Sequence, residues 1–389
     1  MKKICLILIV LLLSSSLFAI GFGYHIMEIK TTPDFGLGIF PTSMLYQFNF
    51  PVPDFISGCK TEFAFRLNNG LEYRTLRQNP DTGELFAKNP VSYPTEYSTL
   101  FDEFNLIFGQ GFFSSSFSTS DILTLWASFD GRFENAYERL SWMQDNKSLQ
   151  GLFWSVDPTT GARSERFHSS SWVGAPELAG DRSVFQTSIT FGLESAYFKD
   201  EITRRNGVKF SSWFRLSKDW IPVNDNTADF CLTWNKLDLA YTLFSIKQND
   251  DRNLSWISLV FDNSSIYRYI NGTKVPSYVQ GGNIWGAQAV NASSVLTNRM
   301  ALTLYGPQIN SRDSYLYATG FWDFGYSFGH VLNRSVFEKV SETTASVGFK
   351  TGFLIFNVAE VFYELGYVYD PVFNENKYFK QTFGFTLGV

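Results

Sequence analysis

The segment Lys380 to Val389 alternates without a break. Phe383, Phe385, Leu387 and Val389 fall on one face, and Thr382, Gly384, Thr386 and Gly388 on the other. Successive side chains of a β-strand point to opposite faces, so large apolar groups lie on one side and small or polar groups on the other. This is the pattern of a strand whose outside is lipid. A strand of this kind with no polar tail after it must find a partner, because an open edge in lipid leaves backbone groups without hydrogen bonds. The sequence therefore predicts an all-β fold, a closed transmembrane antiparallel barrel, with the four outward residues acting as its C-terminal insertion signal.

Other segments repeat the period. Phe185, Ile189, Phe191, Leu193 and Tyr197 oppose Gln186, Ser188, Thr190, Gly192 and Glu194. Val208, Phe210, Phe214 and Leu216 oppose Lys209, Ser211, Trp213 and Arg215, and Phe63, Phe65 and Leu67 oppose Glu62, Ala64 and Arg66. Ala359, Val361, Tyr363, Leu365 and Tyr367 oppose Glu360, Phe362, Glu364 and Gly366. A soluble antiparallel sandwich shows the same period, so alternation needs support from elsewhere.

That support comes from the start of the chain and from composition. Lys2 and Lys3, the apolar run Ile4 to Leu13, and Ser14 to Ala19 read as a signal peptide over 1–19 cleaved after Ala19, with the barrel over 20–389. Cys5 lies inside the apolar run, not at the cut, which disfavours a lipoprotein. No later stretch approaches the roughly 18 apolar residues of a helical span. Aromatics make up 18% of the chain, yet mean hydropathy is −0.08. Lipid-facing and lumen-facing residues cancel in such an average, and aromatic girdles mark both interfaces of a barrel. Losing Lys2 and Lys3 takes the net charge from −5 to about −7, with no basic stripe, so nucleic acid is not an expected partner.

Strand-like runs also span Phe40 to Phe48, Leu71 to Arg77, Phe101 to Phe112, Ile122 to Arg132, Phe230 to Lys236, Leu239 to Lys247 and Leu254 to Phe261. Val295 to Tyr305, Tyr315 to Phe324, Ser346 to Asn357 and a weaker run at Gly151 to Val156 continue the series. The expected number is about sixteen, with fourteen as the alternative, in the even series of bacterial barrels. Long polar connections at Gln78 to Tyr97, Glu134 to Arg182 and Asp262 to Ser294 are expected on the outer face. Cys59 and Cys231 either pair or stand as separate strand cysteines. His25, His168 and His330 stand apart from any Cys, Asp or Glu cluster, so no metal, cofactor or enzyme activity is expected.

From about Tyr278 onward the order of features resembles the barrel of the surface-antigen superfamily, the BamA and TamA type of outer-membrane assembly factors, without their POTRA domains. The segments that carry the resemblance are Thr319 to Phe328, Thr344 to Phe353, Phe362 to Tyr367 and Lys380 to Leu387. In that family a loop folds back into the lumen, where the Arg of a Val-Arg-Gly-Phe motif meets the Asp of an aromatic-Asp-x-Gly strand. Here Val279-Gln280-Gly281-Gly282 is the counterpart, with Gln280 in place of the Arg and Asp323 as the acid. The resemblance implies that Gln280, Gly281 and Asp323 meet in the lumen, with Asp323 satisfied by an amide or by another cation such as Arg299 or Lys350. It also implies a protein of transport or assembly in the outer membrane, surrounded by lipid. Such a protein is inserted by the assembly machinery and works with an unidentified cargo or periplasmic partner.

Two other readings stay open. In a diffusive porin, Arg66, Glu194, Lys209, Arg215, Arg299, Lys350, Glu360 and Glu364 would face the lumen and set ion preference. In a structural or adhesive surface protein, the Glu134 to Arg182 loop would bind a partner.

Overall fold

The computed structural model describes residues 24–31, 42–75, 96–118, 120–138, 154–156, 159–160, 163–165, 182–201, 203–221, 226–247, 255–280, 284, 292–308, 314–333, 339–355, 359–369 and 377–388. The strands, in chain order, are β1 (Tyr24–Thr31), β2 (Thr42–Phe50), β3 (Thr61–Thr75), β4 (Glu96–Phe112), β5 (Leu123–Glu138), β6 (Trp154–Val156), β7 (Arg163–Glu165) and β8 (Ser183–Glu201). They continue as β9 (Arg204–Ser217), β10 (Asp229–Lys247), β11 (Ser255–Lys274), β12 (Ala292–Gln308), β13 (Tyr315–Val331), β14 (Lys339–Ile355), β15 (Ala359–Tyr369) and β16 (Lys377–Gly388). A single helical turn, α1 (Ser277–Gln280), follows β11.

Among the described residues, fourteen of these strands close into one antiparallel barrel, while β6 and β7 pair only with each other. The barrel is closed by β1 against β16, in register from Glu28↔Gly388 to Thr31↔Phe385. The strand ends that bound the longer connections, 76–95, 139–181 and 281–291, lie at one rim, and the start of β1, the end of β16 and the strand ends joined by the shorter connections lie at the other. Short turns at one rim and long loops at the other are the arrangement of outer-membrane-type barrels.

The difference between sixteen and fourteen strands has local causes. Phe63 to Leu67 and the described part of the Leu71 to Arg77 run, which ends at Thr75, belong to one strand, β3, and the runs on either side of Leu237 and Asp238 are one strand, β10. The Gly151 to Val156 candidate lies in the separate hairpin, and β1 adds a strand outside the expected runs. Two of the expected loops also start too early. Glu134 to Glu138 completes β5, and Asp262 to Lys274 is the second half of β11. The signal peptide lies outside the described residues.

The alternation becomes two environments. Leu296, Met300, Leu302 and Leu304 of β12, Trp322 and Phe324 of β13, Val347 and Phe349 of β14, and Phe379, Phe383 and Phe385 of β16 are exposed on the outside. Their sequence neighbours Asp323, Ser346 and Gly384 are buried on the inside, as is Glu364 between the exposed Tyr363 and Leu365 of β15. A belt of this kind recurs on strand after strand, far beyond the few hundred Å² of apolar patch that a soluble monomer exposes. Lipid is the solvent that such a surface fits. No helix of the described residues is long and apolar enough to cross a membrane.

Candidate functional site in the lumen

At the rim that carries the long loops, the chain leaves β11 and turns inward. Pro276 has no N–H to give to a sheet ladder, and its carbonyl accepts from the backbone N–H groups of Val279 and Gln280, closing α1. The turn is clasped from several sides. Asn333, just past β13, takes the Val275 N–H at 2.7 Å and returns its amide to the Val275 carbonyl at 2.8 Å. The Gln280 side-chain amide donates to the same carbonyl. Arg268, one strand row away on β11, donates to the Val279 carbonyl at 2.9 Å and to the Gln280 carbonyl.

The far side of the turn reaches the opposite wall. Tyr278 donates its hydroxyl to Gln186 of β8 at 2.6 Å, and the Ser277 hydroxyl meets that of Tyr97 of β4 at 2.7 Å. The Arg132 guanidinium of β5 lies between two rings, 4.1 Å from Phe101 and 4.2 Å from Tyr278, in the geometry of a cation–π contact. Val275 and Val279 join Val184, Phe230, Ile270 and Leu332 in a buried apolar cluster. The inserted turn thus has apolar and polar anchors on both sides of the lumen.

Beneath it the lumen wall is a charged network. Arg299 of β12 is register partner to Asp323 of β13 and holds it bidentately, Nε at 2.7 Å and Nη2 at 3.1 Å. Ser346 donates to the same carboxylate at 3.2 Å, and Glu364 lies 3.6 Å from Arg299. Lys350 pairs with Glu360 at 2.7 Å, and Tyr317 donates to that carboxylate as well. Across the barrel Lys209 pairs with Glu194 at 2.8 Å, Arg215 lies 3.6 Å from Asp130, and Arg66 donates to Gln47.

All eight expected lumen charges therefore sit on the inward face, and seven of them are ion-paired. The expected meeting of Gln280 with Asp323 does not occur. Asp323 takes its hydrogen bonds from Arg299 and Ser346, while Gln280 closes its own turn. The charged partner comes from the neighbouring strand, at the register position where a fork-shaped guanidinium meets a carboxylate with least reach. Gly281 and Val389 lie outside the described residues. Phe383 and Phe385 face outward, and Leu387 pairs with Ile29 in the closing ladder. Cys59 is buried in the β2–β3 turn and Cys231 sits on β10, both as free thiols, so they do not pair. His168 also lies outside the described residues.

Sequence reasoning misses Arg268, Arg132 and Tyr278. Arg268 is hidden because Asp262 to Ser294 reads as loop, although Val260, Ile266, Arg268 and Ile270 share one parity in the sequence.

Fold and lumen together define a class: a transmembrane β-barrel of the outer-membrane type with a helical turn seated in its lumen near one rim. No protein-family model and no curated protein matches the chain. Among solved structures it is similar to BamA from Haemophilus ducreyi lacking POTRA domains 1–3, at 10% identity and TM-score 0.44, over 94% of this chain and 70% of that one. It is similar to CdiB from Escherichia coli at 8% identity and TM-score 0.49, spanning 63% of that chain, and to a bacterial polysaccharide outer membrane secretin at 7% identity and TM-score 0.42. Likeness of this degree goes no further than the barrel.

Proposed function

We propose that this chain is a normally closed outer-membrane barrel that serves transport or assembly across that membrane and does no bond chemistry of its own. The observation that carries the reading is the α1 turn seated in the lumen between β4, β5, β8 and β11. An open diffusive pore needs a continuous aqueous path, and rings of like charge are one way in which such pores select ions. Here the inserted turn stands in that path, and most lumen charges have partners. The four C-terminal segments that resemble the surface-antigen superfamily support the same reading. So does the sequence over 1–19, which reads as an export leader.

The turn is held firmly. Two hydrogen bonds from a guanidinium contribute about 1.5–3 kcal/mol each, and burying two valines adds about 1.5–3 kcal/mol each. Even half of that sum keeps the open state below about 1% at rest. Passage of any cargo requires a partner or ligand that binds the displaced state better. Planar-bilayer recording on the refolded chain is expected to show rare, brief events for the native sequence. Glycine at both Tyr278 and Val279 should convert these to frequent openings. Steady open steps from the native chain would overturn the closed-barrel reading in favour of a porin.

A further inference from the structure

Arg268 is only 7% exposed, and its Nε has no hydrogen-bond partner. Its other donors go to the carbonyls of Val279 and Gln280, and among the described residues no carboxylate lies within 4.0 Å of it. A buried guanidinium without a counter-charge is costly. The neighbouring cations are engaged: Arg132 by Glu72, Glu103 and Glu134, Arg215 by Asp130 and Thr190. The carboxylates nearby are engaged too. Glu103 accepts from Asn105, and Asp130 accepts from Asn105, Ser128 and Thr190. On the space that Arg268 lines, three guanidiniums, Arg132, Arg215 and Arg268, face two carboxylates, Glu103 and Asp130, so that lining has one cation in excess, with Glu72 and Glu134 held by Arg132 outside it.

Arg268 lines a cavity of about 410 Å³ between α1 and the lumen wall. Trp213, Trp234, Arg268 and Val295 form one register row across β9, β10, β11 and β12. The two indoles stack with centroids 5.5 Å apart, and the polar part of the lining includes Arg215 and Thr297 together with Arg132 and the carboxylates of Glu103 and Asp130, both of which are already engaged by cations and amides. Small-molecule sites run from about 300 to 1,000 Å³, mostly apolar with a few placed polar groups. A bare inorganic ion fills little of such a space.

We propose that this cavity binds a compact organic oxyanion, a carboxylate or phosphate on a hexose-sized body. Arg268 and Arg215 take the charge, and the Trp213–Trp234 pair packs against the body. The same guanidinium holds the inserted turn, so an anion that recruits Arg268 loosens its grip on Val279 and Gln280. The site rests on the turn being in the lumen and not on what crosses the barrel.

The test is calorimetric titration of the full refolded chain with inorganic phosphate and with glucose 6-phosphate, at constant ionic strength. Saturable binding with one site per chain is expected, with the sugar phosphate binding more tightly. Arg268→Gln, which keeps an amide near the turn, should weaken binding about tenfold or more. Thr297→Tyr should fill the cavity and abolish binding while the heat-modifiable gel shift of the folded barrel persists. Absence of saturable binding by either probe, or binding unchanged in both variants, overturns the site. Equal affinity for the two probes overturns the role given to the indoles. Conductance of the native chain tests the closed barrel separately, so the two readings fail independently.

Discussion

Asp323 shows how a single side chain can be placed correctly by pattern and still have the wrong partner assigned to it. It is 2% exposed and accepts from both arms of Arg299 and from the Ser346 hydroxyl. Asp323→Asn keeps the shape but turns an amide N–H₂ toward a guanidinium. Breaking a fully buried pair costs about 3–5 kcal/mol. The Arg299 side chain is 43% exposed and can be rehydrated, so the expected loss is nearer about 1–3 kcal/mol. Arg299→Lys should cost a similar amount, because an ammonium cannot span both oxygens. Urea unfolding in detergent would read both as a lower midpoint with an unchanged slope. An unmoved midpoint in the two variants would show that the pair adds nothing. The acid is legible in the sequence because period 2 puts Asp323 among outward aromatics. Its partner is not, because register between strands is set by turns and sheet closure, which sequence spacing does not carry.

At the scale of elements, ladder length decides which part of the barrel yields first. β1 meets β16 over four residue pairs, Glu28↔Gly388 to Thr31↔Phe385, whereas β1 meets β2 over eight. The β12–β13 ladder runs from Ala292↔Val331 to Gln308↔Tyr315. The free energy of local opening rises with the number of ladder hydrogen bonds that must break and with the packed surface that opens. Hydrogen exchange read by mass spectrometry should therefore show peptides from β1 and the end of β16 exchanging well before those from β12 and β13. Cysteines at Ile29 and Leu387, which face each other in register, should form a disulfide and slow that exchange. Equal protection of the seam and the β12–β13 ladder would refute the ranking. The same scale explains why only the first half of β11 is legible. Asp262, Asn263, Ser264, Ser265, Asn271 and Gly272 are turn-forming residue types. In the barrel Ser264 donates to Asp238 in the lumen, and Asn263 exchanges amide bonds with Asn298 on the next strand, which also donates to Ser265. Cross-strand partners satisfy what would otherwise favour a turn.

For the whole molecule, the distribution of charge sets what an opened barrel would conduct. Lys209, Lys236, Lys350, Arg205, Arg215 and Arg299 each have a carboxylate partner on the same or a nearby strand. Paired charges cancel within a few ångströms, well inside the screening length of about 8–10 Å at physiological salt. They therefore make no ring of one sign for a passing ion. Arg66 and Arg268 take neutral partners instead, an amide and two carbonyls. Arg299, however, faces both Asp323 and Glu364, and Arg132 faces Glu72, Glu103 and Glu134, so the net of this balance is weakly negative. When glycine at Tyr278 and Val279 displaces the turn, reversal potentials in a potassium chloride gradient should show a mild preference for potassium, within about threefold of no selectivity. Arg66→Gln should strengthen that preference slightly without closing the pore. Strong cation selectivity in the opened variant would mean that the paired carboxylates are not neutralised in the lumen, and the account of the wall as a self-compensating network would fail with it.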